Sequence, residues 1–171
     1  MLGHVEGNIL DLYCGTGSIG LSLLKMGNST LTKGNLGSSE PTTLIGIEIV
    51  EDAIIDARVN AKINGLEDQS FFIASPAEKA LERHPELTEK IKNLGVVVVD
   101  PPRDGLHKNV IERIVELKKE QDFKLLYISC NPVTMARDVE IFLERGFGLK
   151  EIQPLDLFPH THHCECIGVL R

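Results

Sequence analysis

The stretch that decides the fold is ILDLYCGTGSIG, residues 9–20. A short apolar run leads through two closely spaced glycines, Gly15 and Gly17, into a helical pattern over residues 18–26. A strand that turns through glycine directly into a helix is typical of the first unit of a parallel α/β sheet. Glycine lets a ligand approach the backbone, and the start of a helix presents free N–H groups. The sequence therefore predicts a ligand-binding turn after the first strand.

Apolar runs and amphipathic stretches alternate along most of the chain. Strands are predicted at residues 9–13, 43–49, 70–74, 96–99 and 124–129. Stripes with helical spacing lie between them, formed by Ile54, Ala57, Arg58 and Ala61, by Val110, Ile111, Ile114 and Val115, and by Met135, Val139, Phe142 and Leu143. This alternation predicts an α/β fold with a doubly wound, mostly parallel sheet and right-handed crossovers. Two later runs, residues 149–157 and 164–170, predict a closing antiparallel hairpin.

Length and composition favour one domain that spans residues 1–171. Hydrophobic residues make up 42% of the chain and charged residues 25%, which is ordinary for a globular protein. Residues 27–41 are rich in Gly, Ser, Thr and Asn and have no apolar stripe, so they predict a mobile loop. The polar residues 82–93 fit either a helix or a loop.

Charge and targeting signals limit the partners and the compartment. The formal net charge is −7, so the protein surface as a whole does not attract nucleic acid. Any binding site for a polyanion is therefore local or is supplied by another domain. No apolar run approaches the roughly 18 residues of a membrane helix, and residues 1–10 do not form a secretory signal. Cysteines without such a signal indicate reduced thiols inside a cell. The cytoplasm is the expected compartment, with a nucleus or an organelle left open.

The first half of the chain carries the candidate cofactor residues. The second strand ends at Glu48, where an acidic residue in doubly wound folds accepts the ribose hydroxyls of a nucleoside. The first loop opens with Asp11, and the form Asp-x-x-x-Gly-x-Gly is more typical of an S-adenosylmethionine site than of a dinucleotide site. Asp11 is then expected near the amino-acid part of that cofactor. Tyr13 lies within the same loop, and Glu78 follows the third strand, where an adenine contact is common. A tight turn that binds nothing is the alternative.

The second half places reactive side chains after two further strands. The fourth strand ends in Asp100-Pro-Pro-Arg103, and the fifth ends in Ser129-Cys130-Asn131-Pro132. The carboxyl ends of parallel strands share one edge of the sheet, which is where ligands bind. The last loop, DLFPHTHHCEC at residues 156–166, adds Glu165.

These three motifs, in this order behind the first loop, resemble the RNA 5-methyluridine methyltransferase family over residues 9–171. The resemblance implies a Rossmann-like class I methyltransferase fold, S-adenosylmethionine as the cofactor and an RNA substrate, either tRNA or rRNA. It implies that Cys130 adds to C6 of uracil and that Glu165 removes the C5 proton. Asp100 and Arg103 would hold the uracil edge or stabilise its enolate oxygen. The full cofactor set is then Asp11, Tyr13, Gly15, Gly17, Glu48, Glu78 and Asp100.

Two other functions compete with this interpretation. A methyltransferase that acts on base amino groups also uses a Pro-Pro motif, but an aromatic residue usually follows where this chain has Arg103, and its chemistry needs no thiol. A non-catalytic cofactor-binding fragment or partner subunit is the second alternative. Members of the resembled family carry RNA-binding segments before the catalytic fold, so we expect segments outside this chain to bind most of the RNA.

Metal binding is not expected. The residues that invite a zinc site are His160, His162, His163, Cys164, Glu165 and Cys166, and their spacing differs from that of structural zinc sites. Neighbouring residues on a strand also point to opposite faces, so few of these side chains could converge. No iron–sulfur cluster is expected, and the oligomeric state is left open.

Overall fold

The computed structural model describes residues 6–31, 41–157, 159–161 and 163–171. Its strands are β1 (Asn8–Leu12), β2 (Leu44–Glu48), β3 (Ser70–Ala74), β4 (Leu94–Val99), β5 (Lys124–Ser129), β6 (Leu149–Leu155) and β7 (Glu165–Leu170). Its α-helices are α1 (Ser18–Leu31), α2 (Glu51–Ile63), α3 (Ala80–Arg83), α4 (Leu87–Lys90), α5 (Lys108–Glu120) and α6 (Pro132–Glu144). Two short 3-10 helices cover Glu67–Gln69 and Ala77–Lys79.

The strands form one sheet in the order β3-β2-β1-β4-β5-β7-β6. Strands β1 to β5 are parallel, whereas β7 runs antiparallel to both of its neighbours, β5 and β6. The central strands are continuous apolar runs because both faces of the sheet are covered; the four valines of β4, for example, are 0% exposed. One core cluster lies on each face. The predicted doubly wound sheet with an antiparallel closing hairpin is confirmed.

Helix α1 is longer than the sequence predicts. It continues to Leu31, so residues 27–31, predicted as the start of a mobile loop, are helical. The prediction failed because Gly, Asn, Ser and Thr are poor helix formers, and tertiary contacts outweigh that preference. One such contact joins Asn28 Nδ2 to Gln69 Oε1 at 2.9 Å. Residues 32–40 of the predicted loop lie outside the described residues.

Two positions of the predicted helical stripes are not in the core. Arg58 is exposed, and its guanidinium donates a hydrogen bond to the Phe72 carbonyl oxygen at 2.8 Å. Leu143 is 44% exposed, because it lies at the margin of the face that buries Phe142. The undecided stretch 82–93 contains the end of α3 and all of α4. Among the helices of the described residues, none is both long enough and apolar enough to cross a membrane.

Candidate active site

The loops that carry the candidate residues meet at one edge of the sheet. Leu12 at the end of β1 pairs with Ile47 of β2 on one side and with Val99 of β4 on the other. Val99 in turn pairs with Tyr127 of β5. Because these strands are parallel, their carboxyl ends are level, and the four loops that follow them lie side by side.

The loop after β1 is built on left-handed backbone conformations. Tyr13, Gly15 and Gly17 have φ angles of +64°, +51° and +77°. Such a φ is uncommon for a residue with a side chain, so Tyr13 marks a strained position of the kind that clusters at ligand sites. A Cβ at Gly17 would lie 3.0 Å from the ring of Phe72, whereas a Cβ at Gly15 would meet nothing within 4 Å. Gly17 is thus needed for packing, and the space beside Gly15 is open.

Glu48 holds this loop against the end of β2. Its Oε2 accepts a hydrogen bond from Gly15 N–H at 3.2 Å, and its Oε1 accepts from the N–H groups of Ile49 and Val50 at 2.7 and 3.0 Å. A carboxylate has about four acceptor positions, so one remains for a hydroxyl group. Ile49 and Val50 are 65% and 53% exposed. The sequence analysis did not identify this apolar surface beside Glu48, although both residues follow it directly.

Asp11 lies beneath the loop rather than on its ligand-facing side. It is 1% exposed, and its Oδ2 accepts a hydrogen bond from Gly20 N–H in α1 at 3.0 Å. Its Oδ1 has no partner among the described residues. Burial above all raises the pKa of Asp11 to about 7, with smaller contributions from the charges of Asp100 and Glu48, while the bond from Gly20 opposes the rise. A contact with the amino-acid part of a cofactor stays a prediction, and this position does not favour it.

Tyr13 and Glu78 are linked by the effect of the Glu78 charge on Tyr13. Burial raises the pKa of the Tyr13 hydroxyl, and the charge of Glu78 is the next largest cause. Glu78 is half-buried in the 3-10 helix Ala77–Lys79. The two residues predicted to bind a cofactor from β1 and from beyond β3 are therefore brought together.

Cys130 and Glu165 lie at the same end of the antiparallel pair of β5 and β7. The last residues recorded as opposite one another are Ser129 and Cys166. Cys130 directly follows Ser129, and Glu165 directly precedes Cys166, so both adjoin this pair. On its other side Glu165 pairs with Leu155 of β6. The register therefore brings the chain segments that carry the thiol and the carboxylate to one end of the strand pair, and the roles of the two side chains stay predictions.

Asp100 belongs to the same group. It follows β4 directly and is half-buried. Burial raises the pKa of Asp100 to about 6, and the negative charge of Glu165 is the second cause. The charge of Glu165 thus acts on Asp100, which associates the end of β4 with the start of β7.

The loop that carries Cys130 is fixed by its neighbours. Ser129 Oγ accepts a hydrogen bond from Asn131 N–H and donates one to the Asn131 carbonyl oxygen, both at 3.0 Å. Asn131 caps α6, because its Oδ1 accepts from Val133 N–H at 3.1 Å, and Pro132 opens the helix. Cys130 is half-buried and directly precedes this N-cap residue.

The other thiols and Arg103 are placed differently. Cys14 and Cys166 are buried. Arg103 follows the two prolines after β4, and its side chain is exposed without a hydrogen-bond or ion-pair partner in the described part of the chain. Its carbonyl oxygen instead accepts hydrogen bonds from Asn131 Nδ2 at 2.9 Å and Thr134 Oγ1 at 3.1 Å. A role for the Arg103 charge beside Cys130 stays a prediction.

The sequence analysis missed the polar residues of α6 and β5 that support this edge, Tyr127, Thr134, Arg137 and Asp138. The available signal was Asp138, a charged residue beside Val139 in the apolar stripe of α6. Within the described ranges, which omit His162, no three His, Cys, Asp or Glu side chains are arranged to hold a metal ion.

Comparison with solved structures defines the class of the fold. The crystal structure of TrmN from Thermus thermophilus matches with a TM-score of 0.66 and 15% identity, over 99% of this chain and 45% of that one. Fibrillarin from Aeropyrum pernix, crystallised with natively bound S-adenosyl-L-methionine, matches with a TM-score of 0.66 and 13% identity, over 98% of this chain and 67% of that one. The fold is that of the class I S-adenosylmethionine-dependent methyltransferases.

Sequence comparison defines the family. The model of the tRNA (uracil-5-)-methyltransferases matches residues 1–171. An uncharacterized RNA methyltransferase of Caldanaerobacter subterraneus subsp. tengcongensis is 40% identical over 163 residues, which cover 95% of this chain and 31% of the relative. A second, from Streptococcus agalactiae, is 41% identical over 165 residues, 96% of this chain and 32% of the relative. The chain therefore belongs to the tRNA (uracil-5-)-methyltransferase family, and it spans about a third of the length of these relatives.

Proposed function

We propose that this chain is the catalytic part of an RNA methyltransferase that transfers a methyl group to C5 of uridine through a covalent bond from Cys130. The observation that carries the proposal is the register of β5 and β7, in which Ser129 pairs with Cys166. Cys130 and Glu165 are the residues next to that pair at the edge of the sheet. Asp100 lies beside them, as its response to the charge of Glu165 indicates. A methyltransferase for amino groups needs neither this thiol nor a base next to it.

The loop after β1 and the end of β2 suit S-adenosylmethionine as the cofactor. Glu48 is half-buried with an acceptor position left for the ribose hydroxyls, and Ile49 and Val50 offer an apolar surface for a flat base. The open space beside Gly15 lets a ligand reach the backbone. We assign the remaining contacts to Tyr13, Gly17, Glu78 and Asp100, with Asp11 as the buried support of the loop. When bound, the cofactor supplies a methyl group on a positively charged sulfur.

Cys130 starts the reaction because C5 of uracil alone is a weak nucleophile. Its thiolate adds to C6, and the electron pair of the C5–C6 double bond moves toward C5 and the C4 carbonyl oxygen. Asp100 and Arg103 would hold the uracil edge, and the positive charge of Arg103 would stabilise the oxygen that gains negative charge.

Glu165 ends the reaction. After C5 has gained the methyl group it still carries its proton, and the Cys130 sulfur is still bonded to C6. The carboxylate of Glu165 removes the proton, the C–H electron pair restores the C5–C6 double bond, and the C6–S bond breaks to return the thiolate.

The RNA, a tRNA or an rRNA, is expected to contact mainly segments outside this chain. Phosphate binding requires clustered Lys and Arg, whereas this chain has a net charge of −7. The negative charge favours an arrangement in which this chain carries out the chemistry and other segments provide most of the affinity for RNA.

Product analysis tests the proposal. Excess protein is incubated with isotope-labelled S-adenosylmethionine and a uridine-containing stem-loop RNA, and the digested nucleosides are separated by mass spectrometry. We expect 5-methyluridine with the unaltered chain and none with Cys130→Ala. Cys164→Ala is the matched control, because this thiol is also half-buried at the same edge, and it should retain the product. A methylated amino group, or normal turnover by Cys130→Ala, would contradict the proposal.

A further inference from the structure

Helix α6 holds the backbone of the loop that follows β4, residues 100–106. At its start, Asn131 Nδ2 and Thr134 Oγ1 both donate hydrogen bonds to the Arg103 carbonyl oxygen, at 2.9 and 3.1 Å. Residues three and four positions apart share one face of a helix. The helix that begins beside Cys130 therefore presents a polar face to this loop.

Asp138, two turns from the start of α6, makes a second and buried contact with the same loop. The side chain is 0% exposed, and its Oδ2 accepts hydrogen bonds from Leu106 N–H and from the Tyr127 hydroxyl, each at 2.7 Å. Its Oδ1 accepts from Nε and Nη2 of Arg137 at 2.9 and 2.7 Å, and the same Nη2 reaches the Asp104 carbonyl oxygen at 3.0 Å. Burying a carboxylate is costly unless hydrogen-bond donors surround it. Of the donors to Asp138, Leu106 lies in the loop, and Arg137 also donates to a carbonyl oxygen of the loop.

Gly105 fits the loop closely to this carboxylate. Its φ is +80°, and a Cβ there would lie 2.6 Å from both Asp138 Oδ2 and Arg137 Nη2. The left-handed backbone and the missing side chain together allow Leu106 N–H to reach Asp138. This explains on physical grounds the glycine two residues after Arg103.

We infer that Asp138 is a positioning residue for the reaction: through Leu106 it fixes the loop 100–106, and with it Asp100 and Arg103, relative to Cys130. The inference rests on the proposed function, which gives the loop its chemical role. Asp138 itself does not touch the reacting atoms. A misplacement of about 1 Å in a catalytic group costs up to about 100-fold in rate, so its loss lowers kcat more than it changes KM.

Substitution of the carboxylate is the first test. Asp138→Ala removes the acceptor of Leu106, and we expect kcat for RNA methylation to fall about 10–100-fold with KM for RNA nearly unchanged. Amide hydrogen exchange at Leu106 should rise at least about tenfold, since its bond is lost. Asp138→Asn keeps a carbonyl oxygen for Leu106 and Tyr127, so it should restore most of kcat. An unchanged kcat in Asp138→Ala, or a change in KM alone, would overturn the inference.

Gly105→Ala disturbs the contact between Leu106 and Asp138 by a change in the loop instead of in α6. It therefore still tests the positioning role if Asp138→Ala does not fold. It should lower kcat similarly, and the double variant should be no slower than the slower single variant, because both changes break one contact. Additive losses would contradict the inference. Asp122→Ala is the matched control, since it loses ion pairs to Lys118 and Arg171 at the opposite edge of the sheet. It should lower stability but not kcat, and an equal loss of kcat would overturn the positioning role.

The two proposals fail in different ways. Exchange at Leu106 is measured without RNA, so it reports whether Asp138 holds the loop even if the unaltered chain makes no 5-methyluridine. In that case the proposed function fails. If the unaltered chain is active and Asp138→Ala retains its kcat, the positioning role fails and the proposed function stands.

Discussion

Replacement of Asp11 by Asn is expected to change how stability depends on pH. The pKa of Asp11 rises from an ordinary value of 3.8 to about 7 in the folded chain, with burial as the main cause. The folded state therefore binds more protons than the unfolded state between these two values. The contribution of Asp11 to the free energy of unfolding is therefore most favourable below about pH 4. It decreases as the pH rises to about 7 and is constant above that.

The magnitude follows from the shift. About three pKa units correspond to about 4 kcal/mol in full, of which about 2.5 kcal/mol develops between pH 5 and pH 8. Asp11→Asn cannot ionise, although its amide oxygen can still accept the bond from Gly20. We therefore expect the free energy of unfolding of the variant, relative to the unaltered chain, to improve by about 2.5 kcal/mol from pH 5 to pH 8. The amide NH₂ in place of the unpartnered Oδ1 adds a constant cost, which cancels in this difference.

Urea unfolding of both proteins at pH 5 and pH 8 measures the effect. Asp56→Asn, which changes an exposed carboxylate on α2, is the control and should show no such pH-dependent difference. A relative stability of Asp11→Asn that is the same at both pH values, within about 0.5 kcal/mol, would refute the reasoning that Asp11 is buried with a raised pKa.

Two further predictions concern ligands. Glu48→Ala should weaken binding of S-adenosylmethionine or its demethylated product by about 1.5–3 kcal/mol, the scale of charge-assisted hydrogen bonds; titration calorimetry with equal affinity for both proteins would remove Glu48 from the site. The chain alone should bind stem-loop RNA poorly at physiological salt, because its net charge is −7. Sub-micromolar affinity in a filter-binding assay would show a basic face that the sequence analysis missed.

The sheet could be predicted from the sequence because its signals are local. Continuous apolar runs mark strands covered on both faces, and the bounds predicted for β3 and β5 agree with the structure. The end of α1 could not be predicted, because residues 27–31 are poor helix formers and their helix depends on contacts such as Asn28 with Gln69. Arg58 and Leu143 were assigned to apolar stripes but are exposed. Helical periodicity locates the buried face of a helix only to within about one residue at its margin.

The sequence predicted which residues belong to the candidate site better than it predicted how they are arranged in space. The motifs pointed to Cys130 and Glu165, and the antiparallel register of β7 showed that both adjoin the Ser129–Cys166 pair. The burial of Asp11 was not predictable, because an acidic residue before a glycine loop serves equally as a ligand contact or as a support beneath the loop. Asp138 was missed for a similar reason, since its donors Leu106 and Tyr127 are distant in sequence.

Trapping the covalent intermediate tests the central claim most directly. Glu165→Gln keeps the size of the side chain but cannot accept the C5 proton, so release of the methylated uridine should slow by about 10²–10⁴-fold. With excess protein, labelled RNA and S-adenosylmethionine, this variant should accumulate a protein–RNA adduct that survives denaturing electrophoresis. Glu120→Gln, an exposed position at the end of α5, should not accumulate it, and Cys130→Ala with Glu165→Gln should form none. An adduct that persists without Cys130, or turnover by Glu165→Gln at the rate of the unaltered chain, would contradict the account.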